Sequence, residues 1–156
     1  MACITRLGIV IAMATALTGC FSPEDRRPGL RLRGQVMATA PSDWAFTNEH
    51  REIAIEVRTP YLLPHSITIW CAEGDGELYV GARNPETKRW PAWVDRDPHV
   101  RLGIGSQIFE VRLSPIEDAD RIARVRDAYA AKYGMPRTPA GEGPPIRYWR
   151  VEPRST

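Results

Sequence analysis

A pair of alternating segments around Gly74-Asp75-Gly76 limits the fold more than any other feature of this sequence. The segments are residues 67–72 and 77–82, and in both of them bulky residues occur on each side of the alternation. Short runs with a period of two residues, joined through Gly and Asp, are typical of antiparallel strands connected by a tight turn. Because both faces carry bulky side chains, we expect both faces of this hairpin to be covered by other parts of the protein.

The same alternation recurs along the chain and predicts six or seven strands in all. The predicted strands outside the first hairpin are 34–40, 52–58, 100–104, 109–113 and 146–151. Gly105-Ser106 would join two of them as a tight turn, whereas Pro64 marks residues 62–66 as a loop or bulge. Strands that are mostly arranged in hairpins pair antiparallel, and closing such a sheet into a barrel removes its exposed edges. The sequence therefore predicts a mainly β fold, namely a β-barrel.

Two helices are predicted beside the strands. Pro91 suits the first turn of a short, tryptophan-rich helix, because proline lacks the N–H that would be unpaired there. A longer helix is predicted for residues 118–133, with Asp118 at its positive N-terminal end and Gly134 just after its last turn. We therefore expect one short and one long helix to pack on the barrel.

The first nineteen residues form a segment of their own. Arg6 precedes the apolar run 7–17, which is too short to span a bilayer as a permanent helix, and Leu17-Thr18-Gly19-Cys20 follows. These four residues resemble the lipobox of bacterial lipoproteins. The resemblance implies cleavage before Cys20 and attachment of lipid, palmitate included, to that cysteine. The alternative is a plain secretory signal with an incidental cysteine.

The lipobox resemblance implies a location in the cell envelope. The mature protein would be held on the extracytoplasmic face of a membrane by the lipid on Cys20. Phe21 follows instead of the aspartate that retains many lipoproteins in the inner membrane, so the outer membrane is expected if the host has one. Residues 20–33 are polar and rich in charge, and we interpret them as a tether. Residues 34–156 are then one barrel domain.

Charge and cysteine content exclude several classes of protein. The formal net charge is +2, and Arg6 leaves with the signal, so the domain lacks the basic excess of proteins that bind nucleic acids. Cys71 would be the one unmodified cysteine, which excludes an intramolecular disulfide, and its apolar strand indicates a small buried hydrophobe rather than a nucleophile. His50, His65 and His99 lie far apart without neighbouring ligands at metal-site spacing, so no metal site is predicted.

A basic loop follows the first hairpin. Arg83, Lys88 and Arg89 lie between the end of a strand and the start of the short helix. Free backbone N–H groups at a helix start add to side-chain charge, and the guanidinium fork matches a phosphate group. The loop therefore predicts an anion site, and the alternative is an ordinary solvated turn.

Three segments carry a resemblance to a known fold family. They are the strand Leu-Tyr-Val at 78–80, the segment Lys-Arg-Trp-Pro-Ala-Trp at 88–93, and Asp-Pro-His-Val-Arg-Leu at 97–102. In this order they resemble the split β-barrel of pyridoxamine-phosphate-oxidase-like and deazaflavin-dependent nitroreductase-like flavoproteins. The sequence departs from many nitroreductase-like members at residues 62–66, which lack an Arg-x-Gly-x-Pro run.

The resemblance also implies a cofactor and its ligands. The phosphate of FMN or of a deazaflavin would be held by Arg83, Lys88 and Arg89, together with Thr68 and Trp70 on the preceding strand. The ring of Trp70 or that of Trp90 would give the flavin ring a surface to rest on. No catalytic side chain is implied, because the cofactor ring itself carries the hydride.

Two hypotheses for function remain open at this point. The first is a lipid-anchored flavin- or deazaflavin-binding split barrel with oxidoreductase activity. The second is a non-catalytic envelope lipoprotein that kept the barrel, lost the cofactor and serves as a binding or interaction module. The family resemblance further implies a homodimer, since many split barrels complete their site across two subunits.

Overall fold

A computed structural model describes residues 29–137, 139 and 142–154, and there the chain forms eight β-strands and two α-helices. The strands are β1 (Gln35–Val36), β2 (Ile53–Arg58), β3 (Pro64–Ile69), β4 (Cys71–Gly74), β5 (Glu77–Arg83), β6 (His99–Ile104), β7 (Gln107–Pro115) and β8 (Ile146–Pro153). The helices are α1 (Trp90–Arg96) and α2 (Ala119–Tyr133), and short 3₁₀ helices occupy Ala45–Glu49 and Pro85–Thr87. The mainly β fold with one short and one long helix is confirmed.

The strands form one curled sheet. Its order is β3-β2-β6-β7-β8-β5-β4, with every neighbouring pair antiparallel, and β1 adds parallel to β7. The two edge strands, β3 and β4, are consecutive in the chain and only Trp70 lies between them. Since β3 also approaches β5, the sheet curls into a barrel that stays open between β3 and β5. The prediction of a split β-barrel is confirmed.

Apolar side chains from alternate strand positions fill the barrel. Ile55, Leu102 and Phe109 lie directly opposite one another on β2, β6 and β7, and all three are buried. Trp149 of β8 is fully buried in the same core. Each such side chain stabilises the fold by about 1.5–3 kcal/mol. The alternation that predicted the strands thus builds the interior of the barrel.

Helix α1 covers one end of the barrel. The buried ring of Trp90 lies 5.0 Å from the ring of Trp149, measured between centroids. On the outer side of the helix, the guanidinium of Arg147 donates to both carboxylate oxygens of Asp95, at 2.7 and 2.8 Å. Core packing and this bidentate ion pair fix α1 against β8. The basic loop, which directly precedes α1, is held in place with it.

Helix α2 packs on the outer face of β4 and β5. Asp118 caps its start, accepting the N–H of Arg121 at 2.8 Å, and Gly134 ends it in the left-handed conformation, as the sequence predicts. Tyr129 is buried on the side that faces the sheet, and its hydroxyl donates to the carbonyl of Trp70 at 3.0 Å. The second face of the hairpin is therefore covered, as expected from its bulky residues.

Residues 29–36, here called the N-terminal strap, cross the outer surface of the barrel. Gly29 exchanges two backbone hydrogen bonds with Ser66 of β3, at 2.7 and 2.9 Å. Leu32 is buried against residues of β2 and β7, and its N–H donates to a carboxylate oxygen of Glu56 at 2.6 Å. The last residues of the segment interpreted as a tether therefore pack on the barrel.

Two strand predictions and one loop prediction are wrong in detail. The predicted strand 67–72 is divided at Trp70, because its first part pairs with β2 and its second part with β5. Strand β3 begins at Pro64, within the predicted loop 62–66, and proline is tolerated there because it is the first residue of the strand. The predicted strand 34–40 shrinks to the two residues of β1.

The predicted signal peptide, the lipidation site Cys20 and the tether up to residue 28 lie outside the described residues. Across residues 29–137, 139 and 142–154, no helix combines the length and the apolar character needed to cross a membrane.

Candidate functional site

The basic loop is a compact turn at the end of β5. Asn84 adopts a left-handed conformation with φ of 50°, and the hydroxyl of Thr87 donates to its carbonyl at 2.8 Å. Arg83 stands before this turn and Lys88 and Arg89 stand after it, all three exposed. None of the three forms an ion pair with a carboxylate in the part of the chain that the structure describes. Their charges are therefore available to an external anion.

The start of α1 adds little to this charge. The helix has only seven residues, no side chain caps its first turn, and Pro91 contributes no N–H. Sequence reasoning assigned part of the anion site to free N–H groups at this helix start. We assign any anion binding here to the side chains alone, because so short a helix has a small dipole.

Thr68 lies on the outer face of β3. It is the direct partner of Ala54 on β2, and Ala54 packs outside the barrel against Leu32 of the strap. Its hydroxyl oxygen is buried and has no hydrogen-bond partner among the described residues. An unpaired buried hydroxyl costs about 1–3 kcal/mol, so this group is a natural candidate for a ligand contact.

Arg83 shares this outer face. Its neighbour Ala82 points into the core, so Arg83 points outward by the alternation of the strand. The β4–β5 pairing places Cys71 opposite Val80. If this register continued from Cys71 back past Trp70 into β3, Thr68 would lie opposite Arg83 across the open edge of the sheet. We call this edge the β3–β5 seam and define it by Thr68, Trp70, Gly81 and Arg83.

Trp70 is engaged by the long helix. Its ring stacks on that of Tyr133, with centroids 4.3 Å apart and planes 11° from parallel, and its indole N–H donates to Glu52 at 3.1 Å. It remains 37% exposed, so one ring face is covered and the other can receive a flat ligand. Trp90, the alternative predicted from the sequence, is buried in the core and offers no such surface.

The five residues predicted as cofactor ligands fall into two groups. Thr68, Trp70 and Arg83 lie along the seam, whereas Lys88 and Arg89 lie beyond its end, next to α1. Trp70 and Arg83 are exposed at the seam, whereas the hydroxyl of Thr68 lies below the surface. A bound cofactor would therefore be covered only if a second surface closed over it.

Two concave pockets lie elsewhere on the described part of the protein. A pocket of about 340 Å³ at the start of α2 is lined by Arg121, Arg124 and Arg150 among others. Sequence reasoning treated the helix arginines as solvated and missed it. Arg121 and Arg150 are already within ion-pair distance of Glu77, at 3.8 and 2.9 Å, so that of the three arginines only Arg124 has no ion pair with a described residue. A second, mostly apolar pocket of about 300 Å³ lies between the segment after β1 and β7.

Cys71 is a core residue, as the sequence predicts. Its side chain is fully buried, and this burial raises the pKa of the thiol although Lys132 Nζ lies 3.4 Å from the sulfur. A buried thiol with a raised pKa is a poor nucleophile. No group of three or more His, Cys, Asp or Glu side chains that could hold a metal ion is found among the described residues.

Solved structures share this fold. A conserved hypothetical protein from Mycobacterium tuberculosis is 22% identical, with a TM-score of 0.56 over 70% of this chain and 77% of that one. A candidate pyridoxamine 5′-phosphate oxidase from Listeria innocua is 18% identical, with a TM-score of 0.52 over 71% and 90%. A candidate 5-nitroimidazole antibiotic resistance protein from Bacteroides thetaiotaomicron is 12% identical, with a TM-score of 0.53 over 83% and 89%. At identities this low the similarity establishes the fold alone.

No curated protein matches the sequence. A family model does match, over residues 45–141, which is more than half of the chain and reaches from the segment before β2 to the loop after α2. The match therefore includes the basic loop and the whole seam. The chain belongs to DUF2255, a family of uncharacterized proteins conserved in bacteria.

Proposed function

We propose that this protein is a lipid-anchored split barrel that binds the phosphate of FMN or of a deazaflavin at the β3–β5 seam. The observation that carries the proposal is the buried, unpaired hydroxyl of Thr68 on the same outer face as Arg83. A polar group of this kind costs stability in the free protein, and a phosphate oxygen would remove that cost by accepting its hydrogen bond.

Each seam residue has a distinct part in holding the cofactor. Arg83 offers a planar fork to two phosphate oxygens, and Lys88 and Arg89 add charge from the end of the seam. Trp70 offers its uncovered ring face to the flat ring system. The flavin would supply hydride transfer when bound, and the side chains named here bind and orient it.

Two further lines support the proposal. The proteins from Listeria innocua and Bacteroides thetaiotaomicron, named for a phosphate-ester oxidase and for resistance to a nitro compound, share the split barrel. The open seam also fits a homodimer, because a second copy would cover a cofactor that one barrel leaves exposed. The lipid anchor on Cys20 rests on the lipobox resemblance of residues 17–20.

Titration with FMN tests the proposal. We expect the purified protein to quench FMN fluorescence, and the Lys88→Ala/Arg89→Ala variant to bind at least about tenfold more weakly, because charge-assisted contacts contribute about 1.5–3 kcal/mol each. The matched control is Arg112→Ala/Arg124→Ala, which removes the same charge from exposed positions away from the seam. Riboflavin lacks the phosphate, so its binding should not change between these variants.

A protein that ignores FMN and deazaflavin alike would contradict the cofactor proposal and favour the interaction module. Equal weakening by the two double variants would also contradict it, because binding would then follow net charge rather than the seam. Loss of FMN binding in the Arg112→Ala/Arg124→Ala variant alone would move the site to the pocket at the start of α2.

A further inference from the structure

The turn between β2 and β3 presents three consecutive apolar side chains to solvent. Tyr61, Leu62 and Leu63 are 60%, 81% and 58% exposed. Single exposed apolar residues are ordinary on protein surfaces, but a contiguous group of large ones marks an interaction surface. The basic loop and the seam do not use these residues, so they call for a separate explanation.

The turn is held in one conformation. The carbonyl of the buried Thr59 accepts the N–H of Leu62 at 3.0 Å, and the hydroxyl of Thr59 donates to the carbonyl of Leu63 at 2.6 Å. Leu62 has φ of 65°, a left-handed conformation that Gly or Asn adopts at lower cost. A leucine in this strained and exposed position is better explained by contact with a partner than by folding.

The apolar surface extends to both sides of the turn. The ring of Tyr61 packs edge-on against that of Trp93 on α1, with centroids 6.3 Å apart. Leu30 of the strap, 69% exposed, follows the antiparallel bridge between Gly29 and Ser66, which sets it level with the first residues of β3. We call these side chains the docking patch; they are Leu30, Tyr61, Leu62, Leu63 and Trp93.

Positive charge lies next to the docking patch. Arg31 is exposed on the strap directly after Leu30, and the exposed Arg33 follows it toward the β6–β7 turn. Neither arginine has a carboxylate partner in the described ranges. Apolar and aromatic side chains beside exposed arginines are the composition of surfaces that rest on anionic membranes.

The length of the preceding chain identifies the partner. Only residues 21–28 separate Cys20 from Gly29, and a fully extended chain of that length reaches about 30 Å at most. Gly29 directly precedes Leu30. We propose that the docking patch rests on the surface of the bilayer that holds the lipid on Cys20, with its arginines against anionic phosphate headgroups. This inference rests on the lipid anchor proposed above.

Two single-site labels test the docking. The protein purified from membranes is reconstituted into vesicles of phosphatidylcholine and phosphatidylglycerol, with an environment-sensitive fluorophore on Leu62→Cys or on Ser106→Cys. Ser106 is exposed in the β6–β7 turn, at the other end of β6 from the docking patch, and Cys71 is too buried to react. We expect a blue shift and quenching by spin-labelled lipid at Leu62 only, both weaker in phosphatidylcholine alone.

Each outcome decides the inference. Equal signals at the two positions overturn it, and so does a Leu62 signal that appears without vesicles as protein concentration rises, because a second copy then covers the patch. The mass of the peptide containing Cys20 tests the anchor separately. If Cys20 carries no lipid, the anchoring proposal fails, and the two labels, placed in a Cys3→Ser/Cys20→Ser background and read on added vesicles, still support or overturn the docking.

Discussion

Thr47 and Thr68 show how differently two threonines can contribute to one domain. Thr47 is fully buried, and its hydroxyl donates to the carbonyl of Trp44 at 2.8 Å. The hydroxyl of Thr68 is equally withdrawn from water but has no partner in the described ranges. The first therefore stabilises the fold and the second weakens it, as expected of a group retained for binding.

Replacing each hydroxyl by a methyl group should change stability in opposite directions. We expect Thr68→Val to raise the free energy of unfolding by about 1 kcal/mol, because it removes an unpaired buried polar group. Thr47→Val should lower it by about 1 kcal/mol, because the carbonyl of Trp44 loses the hydroxyl donor and keeps only the backbone N–H of Thr47. Urea denaturation measures both changes. A loss of stability in Thr68→Val would show that the Thr68 hydroxyl already has a hydrogen-bond partner. The main observation behind the proposed cofactor binding would then be wrong.

At the scale of elements, helix ends and hairpin turns were predictable, and the division of one predicted strand between two hairpins was not. The ends of α2 follow from Asp118 and Gly134, whose effects act within one helical turn. The division at Trp70 is not visible in the sequence, because inward-facing and outward-facing residues keep alternating through it. It arises because β3 pairs back on β2 in one hairpin and β4 pairs with β5 in the next, so that Trp70 joins two consecutive hairpins.

The candidate site was predictable to the same extent. Charge and position identified Arg83, Lys88 and Arg89, because exposed side chains depend little on the rest of the fold. The stacking of Trp70 on Tyr133 depends on where α2 docks, and the isolation of the Thr68 hydroxyl depends on the strap and neighbouring strands. Neither follows from spacing, since both are properties of tertiary packing.

The capping contact of α2 can be tested with two neighbouring aspartates. Asp118→Ala removes the acceptor for the N–H of Arg121 and should lower the free energy of unfolding by about 1 kcal/mol. Asp120 lies in the first turn without capping, so Asp120→Ala should cost only about 0.3–0.5 kcal/mol through the helix dipole. Thermal and urea unfolding of the two variants provide the comparison. Equal losses would show that charge, not the cap, stabilises this end of the helix.

At the scale of the whole molecule, the contact between α2 and the barrel depends on neutral tyrosines. Burial, followed by the hydrogen bond and charge of Glu77, raises the pKa of Tyr79 to about 12. Burial also holds the pKa values of Tyr129, Tyr133 and Tyr148 above the ordinary value for a phenol. Their rings form the apolar layer between the long helix and the outer face of the sheet. Ionising any of them would place a charge in that layer.

This layer should make the protein lose stability in alkali. Unfolded phenols ionise near pH 10, whereas the folded ones stay protonated, so the unfolded chain binds fewer protons and the free energy of unfolding falls as pH rises. The slope should approach about 1.4 kcal/mol per pH unit for each such tyrosine. Urea denaturation between about pH 8 and 11 measures it, within the range where these phenols begin to titrate. Tyr148→Phe should reduce the slope by the contribution of one tyrosine and change the stability little near neutral pH. A stability independent of pH across this range would contradict the prediction, because these tyrosines would then ionise as readily in the folded protein as in the unfolded chain.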